Sequence, residues 1–198
     1  GHLTAMMGLT ANDPEYQPGF EDADTSLQAA VPVYGVYDFT NRLGTMQERF
    51  VPRVLEPMIM KAFLEQEPEK FHRASPMDRV HPDAPPFLIV HGDRDTLAPV
   101  EDAQVFAEDL ARTSRSSVMY AELRGAQHAF DIFASPRTAR MLDGTLRFLM
   151  AMYARAKNAN APRPTEQFAP LDYTERVAID SPKATRRGNP PPTKAPSR

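Results

Sequence analysis

The 198-residue chain predicts an α/β fold built on a mainly parallel sheet, and three observations carry that expectation. Phe87 to Val90 is a continuous apolar run of the kind found in a strand buried on both faces. "SSVMYAEL", at 116–123, is a second strand-like run. Between them Val100, Ala103, Phe106, Ala107 and Leu110 recur at helical spacing. Strand, helix and strand make a βαβ unit, with a crossover long enough to set the two strands parallel.

Taken in order, the opening "GHLTAMMGLT" has helical spacing but no Ser, Thr, Asp or Asn ahead of it to cap a helix, so the chain is expected to begin inside an element. A loop dense in turn formers comes next. Val31 to Tyr37 then reads as a buried strand, with Asp38 just past its end. Residues 44–71 read as a cap-like helical segment interrupted at Pro52, Pro57 and Pro68. There Leu55, Met58, Ile59, Met60, Phe63 and Leu64 spread apolar cover widely, which fits either core packing or an adaptable cap over an apolar ligand. Pro99 opens the crossover helix, with Glu101 and Asp102 in its first turn. A last helix is expected from about Pro136 to Tyr153, turning Met141, Thr145, Phe148, Leu149 and Met152 inward. These elements make residues 1–156 one domain. Residues 157–198 are rich in Pro, Ala, Lys and Arg and poor in large apolar groups, which predicts a disordered basic tail.

Composition narrows the chemistry. Hydrophobic and charged fractions of 41% and 25% are those of a globular domain. A formal charge of −3 gives no electrostatic reason to expect nucleic acid. The absence of cysteine removes disulfides, thiol catalysis and Cys-based zinc sites, and fits a cytoplasmic protein. No apolar run approaches the length of a membrane span.

In open parallel sheets, reacting groups gather in the loops at the carboxyl ends of the strands. The loop after Val90 carries "HGDRD" and the loop after Leu123 carries "GAQHAFD". If the strands are neighbours, Asp95 and His128 come within hydrogen-bond reach. A carboxylate there can hold an imidazole in one tautomer, so that its other nitrogen takes a proton from a nucleophile. Each residue also has a plainer role. Asp95 fits a cap for the helix that Pro99 opens, and a lone loop histidine is more often structural than catalytic. Asp93 competes with Asp95, while His91 is expected to lock the strand end by hydrogen bonding. His91, Asp93, Asp95 and His128 have ligand types suited to zinc, but no recognised metal spacing joins them. No metal or cofactor is expected.

"HGDRDTLAP" succeeded by "GAQHAFD" across a βαβ crossover resembles the carboxyl-terminal portion of an α/β-hydrolase, specifically the hormone-sensitive-lipase-like esterases and their mycobacterial lipase/esterase relatives. The resemblance covers roughly residues 1 to 155. It implies that Asp95 is the acid and His128 the base of a Ser-His-Asp triad acting on a small-molecule ester, with segment 44–71 lining an acyl pocket. The family's Gly-x-Ser-x-Gly elbow and His-Gly-Gly oxyanion loop occur nowhere in the chain. The start "GHLTAMM" resembles the segment immediately after that elbow, which places the nucleophile just upstream of Gly1. The expected partners are then the missing amino-terminal half of the fold, or a second copy covering an open sheet edge. The chain alone is expected to be inactive. A related peptidase or lactone hydrolase, or a non-catalytic interaction module, are the alternatives the residues leave open.

Overall fold

The computed structural model describes residues 1–46 and 51–158. Positions 159–198 of the expected tail, and 47–50 of the cap-like segment, lie outside the described residues. In chain order the main elements are α1 (His2–Leu9), a π-helical segment (Val51–Met60), α2 (Pro68–Ala74), β1 (Phe87–Gly92), α3 (Val100–Thr113), β2 (Val118–Leu123) and α4 (Pro136–Lys157).

β1 and β2 pair in parallel, in register from Phe87↔Val118 to Gly92↔Leu123. β1 is buried along its whole length, and the burial explains its unbroken apolar run. Phe87 and Ile89 face one side, packing with Ala5 and Leu9 of α1 and with Ala103, Phe106 and Leu110 of α3. Leu88 and Val90 face the other, against Phe148 of α4 with Met141 and Met152 beside it. Helices therefore cover both faces of the sheet. The Phe106 ring stacks on Tyr37 at 4.5 Å between centroids and meets Phe87 edge-on at 6.2 Å. Burying a side chain of that size stabilises by roughly 1.5–3 kcal/mol.

The strand expected at Val31–Tyr37 is shorter and is displaced toward the amino end. Residues 30–34 run parallel to β1 on the edge away from β2, with bridges Ala30↔Phe87 and Val33↔Val90. Ala30 and Tyr34 donate to Pro86 and Val90, while Leu88 and Val90 donate back to Ala30 and Pro32. Pro32 has no N–H to give, so one rung is missing and the ladder is not continuous. The pairing ends at Tyr34, where φ is +40°. Asp38 lies four residues beyond and is fully buried. It accepts from the Thr40 and Arg42 amides and from the Thr40 hydroxyl.

Two other expectations change. The interrupted helix at 44–71 becomes the π-helical segment, which contains Pro57, and the separate short α2. A proline inside a helix cannot donate to the ladder, and the chain answers with wider turns. Leu55, Met60, Ala62 and Phe71 pack into a second core with Phe39 and Met46, but Met58, Ile59 and Phe63 are exposed. In α4 the stripe of Met141, Thr145, Phe148 and Met152 faces inward as expected, whereas Leu149 is exposed. Leu149 shares a flank of α4 with Leu142, Leu146 and Tyr153, all of them exposed.

Candidate active site

β1 and β2 deliver their carboxyl-end loops side by side. Gly92 is the hinge of that contact, since a Cβ there would sit 2.4 Å from the Ala126 carbonyl oxygen. The loops are stitched by Arg94 N–H donating to Ala126 O at 3.0 Å, and by Gly125 N–H donating to Asp93 Oδ1 at 2.5 Å. Asp93 therefore ties the loops together and is not the partner of the histidine.

Asp95 is the partner. Its side chain is fully buried, and its two oxygens divide the work. Oδ1 accepts from the Leu97 and Ala98 amides at 2.9 and 2.8 Å, closing the turn that leads into α3. Oδ2 accepts from His128 Nδ1 at 2.8 Å. Asp95 therefore does not cap α3, which has no side-chain cap: it closes the turn ahead of the helix and holds the imidazole with its other oxygen. Because Nδ1 faces only an acceptor, it carries a proton. Nε2 has no protein partner among the described residues, and the His128 side chain is 28% exposed.

His91, wholly buried at the end of β1, donates from Nε2 to the Ala98 carbonyl at 2.9 Å and lies 3.5 Å from Asp95 Oδ2. It locks the strand end as expected, and burial holds its pKa below the usual imidazole value, so it stays neutral. His91, Asp93, Asp95 and His128 do not assemble into a metal-binding group among the described residues.

Three contributors were missed in the sequence. Tyr34 sets its ring 4.7 Å from that of His128. Its hydroxyl donates to Asp131 Oδ1 at 2.9 Å. Arg137, at the start of α4, donates to the Arg124 carbonyl at 3.0 Å and so braces the loop before His128. Asp131 and Arg137 are ordinary charged residues by pattern; only Tyr34, closing an apolar run just before Gly35, carried a local signal, and that signal read as strand.

A buried acid stands in the first turn of α3. Asp102 is bonded through Oδ1 to the Thr45 hydroxyl at 2.7 Å, while its Oδ2 has no partner. Burial, reinforced by the charges of Asp38 and Glu101, raises its pKa to about 6.

The sequence profile of BD-FAE matches residues 1–110. The chain belongs to the BD-FAE family. This BD-FAE chain is also 43% identical over 164 residues to a Mycobacterium tuberculosis protein named "Probable carboxylic ester hydrolase LipM", an alignment covering 83% of the chain and 38% of the relative. It is 46% identical over 150 residues to esterase LipC of the same organism, covering 75% and 37%. The chain therefore spans under two-fifths of the length of the curated relatives it matches. Among solved structures, esterase 2 of Thermogutta terrifontis phosphonylated by sarin superposes with a TM-score of 0.61 at 21% identity, over 77% of this chain and 53% of that one. A truncated carbohydrate esterase from gut microbiota superposes at 0.60 and 21%, over 78% and 56%. These likenesses establish the α/β-hydrolase fold. No helix among the described residues is long and apolar enough to cross a membrane.

Proposed function

We propose that this chain supplies the acid and the base of a serine hydrolase acting on carboxylic esters. The observation that carries the reading is the 2.8 Å bond from His128 Nδ1 to the buried Asp95, which leaves Nε2 to work on a reacting group. The serine belongs to a Gly-x-Ser-x-Gly elbow, which these 198 residues do not contain. Two features support its arrival at the amino end of α1. Gly1 lies so close to Val33 and Gly35 that a Cβ would stand 2.3 Å from the Val33 carbonyl oxygen. Tyr34, between those two residues, touches His128. The LipM and LipC relatives, named as ester hydrolases, support the substrate class.

His128 Nε2 takes the serine proton as the serine oxygen attacks the ester carbonyl carbon. It then gives that proton to the departing alcohol oxygen, leaving an acyl-enzyme. Water repeats the sequence, losing a proton to Nε2 as it attacks, and the acid leaves with the serine re-protonated. Asp95 remains ionised throughout, holding the imidazole in one tautomer and stabilising it while charged. Met58, Ile59 and Phe63 are exposed on the 44–71 segment, and this apolar surface is our candidate for receiving an uncharged acyl group. The edge of residues 30–34 that faces away from β1 is where the rest of such a sheet, or a second copy, would pair. A cytoplasmic setting fits the lack of cysteine.

The test is hydrolysis of p-nitrophenyl butyrate by material of verified intact mass. The chain alone should be inactive, and the polypeptide that includes the elbow should be active. In the latter, His128→Ala should lower kcat/KM by about 10⁴-fold or more. Hydrolysis by the pure 198-residue chain, or full activity without His128, would overturn the proposal.

A further inference from the structure

Tyr34 is held in a costly conformation. Its φ of +40° is one an aromatic residue rarely adopts, while Gly35, the residue better suited to it, stands next in the chain. Strain of this kind persists only where surrounding contacts over-determine it. Four contacts do so here. The Tyr34 amide donates to Val90 O at 2.8 Å, fixing the residue to β1. Its ring meets His128 at 4.7 Å with the planes tilted by 55°. The same ring takes Phe130 edge-on at 5.7 Å. Its hydroxyl bonds Asp131 at 2.9 Å. His128 and Phe130 flank Ala129, itself at φ +57°, so the loop doubles back around this ring.

We infer that Tyr34 is a positioning residue for His128: its ring backs the imidazole while its hydroxyl, through Asp131, clamps the loop that carries it. Asp95 alone fixes one atom of the imidazole, Nδ1, and leaves the ring free to pivot about that bond. The Tyr34 ring closes off the pivot from the side, and the Asp131 clamp stops the loop from carrying His128 away. Burial and the neighbouring Asp131 both raise the Tyr34 pKa, so the phenol keeps the proton it donates. The residues on either side of this tyrosine, Val33 and Gly35, close on Gly1, and so join the base to the amino end of α1. Its catalytic meaning rests on the ester-hydrolase reading above; its effect on the imidazole does not.

The experiment tracks the low-field NMR resonance of the His128 Nδ1 proton in the 198-residue chain, together with kcat and KM in the elbow-bearing polypeptide. Tyr34→Phe keeps the ring and removes the clamp, and should speed exchange of that proton about tenfold with the fold retained. Tyr34→Leu removes both and should broaden the resonance away. Asp131→Asn keeps an acceptor for the hydroxyl and should stay within about twofold of the parent, whereas Asp131→Ala should match Tyr34→Phe. In the active polypeptide Tyr34→Phe should lower kcat several-fold with KM little changed, the split expected of a misplaced base. An unchanged resonance and exchange rate in both Tyr34 variants overturns the inference. Loss of hydrolysis in the parent, with the resonance effects intact, instead overturns the ester-hydrolase reading and leaves the positioning role standing.

Discussion

Asp95 and His128 stand on adjacent loops at one end of the same two strands, yet the loops are secured in different ways. The Asp95 loop is short and closes on itself: one oxygen of its own carboxylate gathers two amides, and His91 reaches back to Ala98 to shut the turn. The His128 loop is closed internally by two backbone bonds, Ala126 N–H to Leu123 O and Ile132 N–H to Ala129 O, and its side-chain anchors come from outside. Groups that arrive from elsewhere hold it too, among them Asp95, Asp93 and the Arg94 amide on the neighbouring loop, Tyr34 on the segment beside β1, and Arg137 on α4. Beyond Asp131 it carries Ile132 and Phe133 at 71% and 80% exposure. Asp95 is thus fixed chiefly by its own turn, while His128 is fixed by contacts from three other segments.

Separating the two jobs of Asp95 should have the strongest effect. Asp95→Asn retains an oxygen for the Leu97 and Ala98 amides but turns an amide toward His128, so the loop should fold while the imidazole takes the wrong tautomer. The elbow-bearing polypeptide should lose about 10⁴-fold in kcat with little change in melting temperature. An equal loss of stability would mean that the Asp95 loop is not self-sufficient. Gly92→Ala attacks the seam instead. Its methyl group would press on the Ala126 carbonyl, which is backbone and cannot swing aside. Denaturant melts should show a cost of about 1–3 kcal/mol, with the His128 loop losing hydrogen-exchange protection before the Asp95 loop does.

The smaller effect concerns the helix behind the acid. The Asp102 pKa is raised to about 6 in the folded chain. A raised carboxyl pKa means that the folded state binds the proton more tightly than the unfolded one. The contribution is fully present below the unfolded value near 4, and is lost as pH rises through about 6. Asp102→Asn, which keeps an acceptor for Thr45, should therefore raise stability at pH 7.5 by up to about 2–3 kcal/mol and make little difference at pH 4. A variant that gains nothing at neutral pH would show that the charge at Asp102 is compensated in the folded chain.

Much of the site was legible because the βαβ unit is local. The apolar run of Phe87–Val90, the Pro99 start and the Val118–Leu123 strand lie in one continuous stretch, so Asp95 and His128 fall at the same end of the sheet once the two strands pair. Tyr34 and Asp131 are 97 residues apart, and no local pattern joins them. Aromatic and β-branched composition predicts a strand from Val31 to Tyr37, because composition does not reveal the positive φ that ends the pairing at Tyr34. Helical spacing predicts Leu149 inward because it marks an apolar stripe but not its width, and Leu149 lies on the exposed flank of α4.

Local features of the chain thus set the parallel pair, the helices that cover it, and the placement of Asp95 and His128 at its carboxyl end. Each arises from periodicity, capping chemistry or chain connectivity, all of which act over a few to a few tens of residues. Only the tertiary structure decided which oxygen of Asp95 serves the turn and which the imidazole, that Asp93 binds the neighbouring loop instead, that Asp102 is buried with an unmatched oxygen, and that Tyr34 accepts backbone strain to lie against His128. Those outcomes depend on burial and on the meeting of distant segments, where desolvation and directional hydrogen bonds, not local propensity, set the free energy.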